Sequence, residues 1–277
     1  MSSVTAPIVE HHLRCRGIHH LVRERGSGPP VVLAHGMWCE GGMFDRMAGD
    51  LARDCRVIVP DFRAHGGTEI PGSPWSVADL ADDLAELLDQ LGARPAVVAG
   101  FSMGGMAALQ FALRYPERVR GLVLISTSAG AETLIRRIQI RSLARLLDLA
   151  GPPAWLAHEA ARVAFSARFR RSDPAAVRRW ESAVRAMPAR ALRQALEAVA
   201  ARPSVVERLG EIRVPAAILA GTADRVLSPR GSEIMRERLA GARLIRLRGS
   251  GHVVPMERPE ESAAAVRAVL QERAGGG

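Results

Sequence analysis

The stretch Val97-Val98-Ala99-Gly100-Phe101-Ser102-Met103-Gly104-Gly105 decides the fold. An apolar run, Ala96–Gly100, leads to a lone serine between glycines, and a helix-like segment, Met103–Tyr115, follows at once. A strand that feeds a helix through so tight a turn forces the turn residue into a strained conformation. Side chains two places before and two places after it would collide, so both must be minimal. Gly100 and Gly104 meet that need. The turn lifts the Ser102 hydroxyl clear of the C-terminal edge of a parallel sheet, where open α/β sheets hold their ligands. The first turn of the helix aims N–H groups and its positive dipole end at the same spot.

Outward from this turn, short buried strands alternate with helices. Ile8–Cys15 and Ile18–Arg25 read as a hairpin across Arg16-Gly17. Pro30–His35, Cys55–Pro60, Val119–Ser126, Val214–Ala220 and Ala242–Leu247 read as strands. Met43–Ala52, Val77–Leu91 behind the N-cap Ser76, Pro229–Leu239 and Glu257–Glu272 read as helices. Residues 1–7 and Ala274–Gly277 read as loose ends. This rhythm implies a mostly parallel sheet with helices on both faces. It breaks over residues 131–203, where Leu134–Leu149, Trp155–Phe165 and Pro174–Ala200 read as helices. The expected organisation is a core of 1–130 and 204–277 with an inserted helical cap at 131–203.

The chain has 277 residues and a formal charge of +9, and every one of its 38 basic residues is arginine. Residues 131–203 hold 14 arginines against 6 acidic residues, so nearly all of the excess lies in the cap. With no aromatic interleaving, zinc spacing or recognition-helix pattern, nucleic acid is not an expected partner. No apolar run is long enough to span a membrane, and neither a membrane partner nor a signal peptide is expected. Three cysteines in no metal spacing, Cys15, Cys39 and Cys55, fit a reduced, cytoplasmic setting. Cys39 reads as a buried, inert thiol. His11, His12, His19 and His20 alternate sides of the hairpin and cannot converge on one ion. They read as solvent-facing, and no metal is expected.

A serine hydroxyl needs a base. His252, in Gly249-Ser-Gly-His252, follows the last strand and can reach the same sheet edge. Asp224, in Gly221-Thr-Ala-Asp224, follows the penultimate strand and can hold the imidazole. The chain order Ser102, Asp224, His252 is that of a strand–turn–helix nucleophile with its acid and base. Asp148, Asp173 and His158 lie in the helical insertion and read as surface groups. An oxyanion requires preorganised donors. The Met103 amide follows the nucleophile, and the Met37 amide sits in His35-Gly36-Met37-Trp38, after the first parallel strand. Trp38, Phe101 and Met106 are candidate pocket walls.

With these residues in place, the chain resembles the α/β-hydrolase fold family. The resemblance rests on RGSGPPVVLAHGMW, DFRAHGGT, GFSMGG, GTADRVLSP and GSGHVVPMERPEE. It implies an α/β fold of eight strands, the second antiparallel, with helices on both faces and a helical lid. In Asp61-Phe-Arg-Ala-His-Gly66, Ala64 stands where the family usually has glycine, which leaves the local turn shape open; His65 reads as structural. Serine in place of aspartate argues against epoxide hydrolase or haloalkane dehalogenase chemistry, which alkylates a carboxylate. GFSMGG is similar to small carboxylesterases, enol-lactonases and cofactor-free haloperoxidase-like perhydrolases. The implied function is hydrolysis of a small or medium ester or lactone without a cofactor. Acyl transfer, thioester hydrolysis, perhydrolysis and a non-catalytic binding role stay open. In the lid, Arg137, Arg141 and Arg145 form a stripe beside an apolar side of Leu134, Ile138, Leu146 and Leu149. The stripe reads as a solvated face, a site for a substrate carboxylate, or a dock for an acidic carrier protein.

Overall fold

The computed structural model describes residues 6–272. The ends expected over 1–7 and 274–277 therefore lie outside the described residues, apart from Ala6 and Pro7. Eight strands form one sheet: β1 (Ile8–Cys15), β2 (Ile18–Arg25), β3 (Pro30–Ala34), β4 (Arg56–Pro60), β5 (Ala96–Phe101), β6 (Val119–Ile125), β7 (Ala216–Gly221) and β8 (Arg243–Leu247). Their order is β1-β2-β4-β3-β5-β6-β7-β8. The sheet is parallel from β4 to β8, and β2 is antiparallel to both its neighbours. Apart from Arg120 near the start of β6, the central strands β3, β5 and β6 are apolar and buried on both faces, as helix-covered parallel strands must be.

Around the sheet lie α1 (Asp45–Leu51), α2 (Val77–Gln90), α3 (Met103–Arg114), α4 (Leu134–Ala150), α5 (Leu156–Ala164), α6 (Ala167–Ser172), α7 (Pro174–Ala186), α8 (Ala189–Ala201), α9 (Pro229–Arg238), α10 (Val254–Glu257) and α11 (Pro259–Gln271). Helices α2 and α3 pack against each other, and α1 packs against α11. Ser76 opens α2 as expected. Asp79 completes a capping box there, its carboxylate accepting from the Ser76 amide.

Between β6 and β7 the chain forms only helices, α4 to α8. The single helix expected over Pro174–Ala200 is two. Pro188 lacks an amide proton and biases Met187 away from helical geometry, so α7 stops at Ala186 and α8 starts at Ala189. The helix expected over Glu257–Glu272 is likewise preceded by a short separate turn, α10, with Arg258 between the two.

Helix α4 exposes the apolar residues grouped beside the arginine stripe together with Arg141 and Arg145. Leu134, Ile138, Leu146 and Leu149 are exposed, and Ala144 and Leu147 are buried against α8. Apolar residues occur on both sides of this helix, and packing on α8 selects the side with the small alanine.

Three tryptophans fasten these helices to the sheet domain. The Trp38 indole donates to the Leu192 carbonyl at 3.4 Å, Trp180 donates to Cys39 Sγ at 3.3 Å, and Trp75 donates to Gln194 Oε1 at 3.3 Å. The buried Gln194 amide also donates to the carbonyls of Pro71 and Ser73. Gln194→Leu leaves the buried Trp75 indole N–H without an acceptor, while the Pro71 carbonyl keeps its Arg190 donor. It is expected to lower the unfolding free energy by about 2 kcal/mol in urea titration, and the Trp75 fluorescence to shift with it.

Candidate active site

Ser102 stands between β5 and α3 at φ +50°, ψ −114°, a conformation that side chains rarely adopt. The two glycines are required by contact. A Cβ on Gly100 would strike the backbone of Gly104, and one on Gly104 would strike the Ala34 carbonyl of β3. The Ser102 amide donates to the Ile125 carbonyl at 2.9 Å, which ties the turn to the end of β6.

The structure brings Asp224 and His252 to this point from two other strand ends. His252 Nδ1 lies 2.8 Å from Asp224 Oδ2, and His252 Nε2 lies 3.1 Å from Ser102 Oγ. This pattern places the imidazole proton on Nδ1, donating to the carboxylate, and leaves Nε2 to accept from the hydroxyl. Asp224 Oδ1 accepts from the amides of Val226 at 2.7 Å and Leu227 at 3.0 Å, so the carboxylate is held on both oxygens. His252 is 6% exposed. Its ring packs on Phe101, and its amide donates to the Ala164 carbonyl of α5 at 2.7 Å.

The loop after β3 is set by two buried histidines. His35 Nε2 accepts from the Phe62 amide at 2.9 Å while Nδ1 donates to the Gly36 carbonyl. His65 Nε2 accepts from the Trp38 amide at 3.2 Å while Nδ1 donates to the Arg63 carbonyl. Both rings must stay neutral to accept. Burial, opposed by the Gly36 carbonyl, pushes His35 down to about 4; burial and the neighbouring His35 push His65 down to about 3. His65 has the structural place expected of it. Ala64 takes φ +64° in the position that resembled a family glycine, so the turn keeps its left-handed residue without one. The amides of Met37 and Met103 have no hydrogen-bond partner among the described residues.

A cavity of about 430 Å³ opens onto Ser102 and His252. Met37, Trp38, Phe101 and Met106 line it from the sheet side. Helices α4, α5 and α8 close the other side with mainly apolar residues. Arg137, Arg141 and Arg145 are not in its wall. The arginine of α4 that reaches the cavity is Arg136, beside Glu132 and near Glu159. One helix position turns a side chain by about 100°, so the stripe and Arg136 point to different sides.

Other candidates fall elsewhere. His12 and His19 are exposed, and His11 pairs with Glu24. His20 is not solvent-facing: inward positions of β2 face α2, and its ring is buried beside Asp83 and Cys15. Asp83 already takes both oxygens to Arg63 and lies beside Arg16, and that positive charge opposes a dication. Cys39 is buried, and its thiol is pushed up to about 12 by burial. Asp148 pairs with Arg193, Asp173 caps α7, and His158 meets Glu181.

Glu257 is a residue that spacing did not single out. Its carboxylate accepts from the Ser166 amide and hydroxyl at 2.8 and 2.6 Å and from the Gly251 amide at 3.1 Å. It thereby joins the His252 loop to α6. Only its place in the stretch GSGHVVPMERPEE, five residues after His252, hints at this.

Residues 29–259 match the model of a family described as the alpha/beta hydrolase fold. The chain belongs to the α/β-hydrolase fold family. It is 30% identical over 253 residues to a putative 2-succinyl-6-hydroxy-2,4-cyclohexadiene-1-carboxylate synthase of Bacillus subtilis, covering 88% of this chain and 91% of that protein. It is 29% identical to a putative carbamate hydrolase of Azorhizobium caulinodans, over 85% of this chain and 88% of that one. Among solved structures, a thermophilic esterase from Thermogutta terrifontis superposes with a TM-score of 0.88 at 28% identity, covering 98% of this chain and 100% of that one. No described helix of this α/β-hydrolase is long and apolar enough to cross a membrane.

The two buried histidines give the fold an acid-sensitive point. Their folded values lie below the unfolded value of about 6.5, so between about 3 and 6.5 the unfolded chain binds more protons. Stability is therefore present above about pH 6.5 and lost as pH falls toward 4. Urea midpoints at pH 7 and pH 4.5 are expected to show a drop worth a few kcal/mol. The drop is smaller in His65→Gln, which keeps an acceptor for the Trp38 amide and does not titrate.

Proposed function

We propose that the protein is a serine hydrolase that cleaves a small or medium carboxylic ester or lactone through an acyl-enzyme. The chain is a hydrolase by family and by the names of its relatives; the finer reading is carried by one observation, the continuous contact from Asp224 through His252 to Ser102. Ser102 Oγ attacks the carbonyl carbon while its proton passes to His252 Nε2. Asp224 stabilises the imidazolium. The negative oxygen of the tetrahedral intermediate is received by the Met37 and Met103 amides, whose lack of another partner supports that role. His252 returns the proton to the departing alkoxide, which leaves Ser102 acylated. A water molecule then gives a proton to His252 and its oxygen to the acyl carbon; His252 passes that proton to Ser102 Oγ as the C–O bond breaks, and the acid departs. None of these steps calls for a metal or an organic cofactor.

The helices over 131–203 serve as the cap in this reading. A cavity of about 430 Å³ with mainly apolar walls suits one small-molecule substrate. The carboxylate-bearing substrate considered for the stripe is better placed at Arg136, which has no ion-pair partner among the described residues.

A fluorophosphonate probe is expected to add once to the intact protein, on Ser102, and p-nitrophenyl esters to be cleaved with an optimum at some chain length. Ser102→Ala should lose at least about 10³-fold in kcat/KM with unchanged circular dichroism; retained turnover would sink the assignment. Arg136→Ala should raise KM about tenfold for an ester that ends in a carboxylate and leave KM for a neutral ester of equal length unchanged.

A further inference from the structure

Among the described residues, nine large apolar side chains are exposed, and six of them lie between Leu134 and Trp155. Five are on α4. At about 100° per residue, Leu134, Ile138, Arg145 and Leu149 form its outermost line. Ile135 and Leu146 flank that line on one side, with Arg141 on the other and the half-buried Arg137 beyond it. Leu134, Ile135 and Leu149 are 69%, 71% and 79% exposed, so they project outward and do not line a groove. Trp155, also exposed, stands in the turn that follows. Arg137, Arg141 and Arg145 have no ion-pair partner among the described residues, and Asp148 is already bound to Arg193. The opposite face of the same helix carries Arg136, Ile140 and Leu143 into the wall of the cavity.

We propose that α4 is a docking surface for an anionic lipid or amphiphile surface, on which the helix lies flat with the cavity beside it. A 17-residue helix is about 25 Å long, and an apolar line edged by arginines is the pattern that settles at a headgroup boundary. Projecting branched side chains enter fluid hydrocarbon without requiring a complementary groove. Arginines beside them attract anionic headgroups, and an indole ring suits the same depth. Two competing occupants fit less well. A second copy of this chain would bring two sets of the three arginines face to face with no acid to separate them. An acidic carrier protein would answer the arginines and leave the outermost line of leucine and isoleucine without hydrocarbon to enter.

The expectation of no membrane partner rested on the absence of a spanning segment. A helix that lies flat at a surface needs none. The docking claim stands apart from the catalytic one, because vesicle binding is read without turnover and Ser102→Ala should bind as the wild type does.

The test is flotation with phosphatidylglycerol vesicles and with phosphatidylcholine vesicles. The protein should float with the anionic vesicles, and binding should be at least about tenfold weaker on the neutral ones and in about 0.5 M sodium chloride. Ile138→Ser with Leu149→Ser, and separately Arg141→Ser with Arg145→Ser, should each weaken binding at least about tenfold. Hydrolysis of a soluble short-chain ester should be unchanged in both, since none of these side chains lines the cavity. Absence of flotation, or flotation that survives both pairs of substitutions, overturns the proposal. So does a dimer in sedimentation velocity that Ile138→Ser with Leu149→Ser dissolves, or retention by an acidic carrier protein without vesicle binding.

Discussion

Ser102 can hold φ +50° only because α3 begins where β5 ends and lies against β3 and β5 with no side chains between them. Gly100 and Gly104 permit this approach, and the rest of the site depends on it. The parallel pairing of β5 with β3 and β6 brings the loops after all three strands to one edge. At that edge the Ser102 hydroxyl and the loop carrying Met37 open onto one cavity, with Met103 next in the chain. The strain at one residue is maintained by the two-sided burial of the strands beneath it, which are among the least exposed parts of the molecule.

The second requirement is neutrality. His35 and His65 act as hydrogen-bond acceptors toward backbone amides, a task open only to an uncharged ring. Their neighbour Asp61 receives the amides of Gly41 and Gly67 and faces Arg23. These buried polar groups replace the regular ladder that the loops after β3 and β4 lack. Through the Trp38 amide they also set the segment that carries Met37. A change of charge in these rings would therefore reach the backbone next to the cavity before it reached the Ser102–His252 contact.

Much of this was legible in the residues. Alternating apolar runs and helical spacing located the strands and the core helices to within a few residues, because the central strands are short and mainly apolar. The glycines around Ser102, and the positions of Asp224 and His252 after successive strands, pointed to one sheet edge, since parallel strands all end there. What spacing could not convey was orientation. Helix α4 has apolar residues on both sides, so its pattern fits two rotations about its axis, and only contact with α8 distinguishes them. The break at Pro188 was written in the sequence, yet the helical pattern continues through it. Glu257 draws its role from Ser166 and Gly251, which are distant in sequence or position-specific in the loop, and no local pattern announces that.

The rotation of α4 also explains how one helix can carry two unlike arginine environments. Arg136 stands at the rim of the cavity, exposed and among its lining residues, while Arg141 and Arg145 lie away from it on the outer side. A guanidinium at the rim of a cavity can meet an anion that enters it. An outward guanidinium acts at the range of the ionic atmosphere and with any anionic surface. In the two proposals made for this helix, the same excess of arginine divides between selecting a molecule and selecting a place. The tryptophans divide likewise: Trp38, Trp75 and Trp180 bind the helical block to the sheet domain through their indole donors, while Trp155 is left at the surface beside the exposed apolar residues of α4.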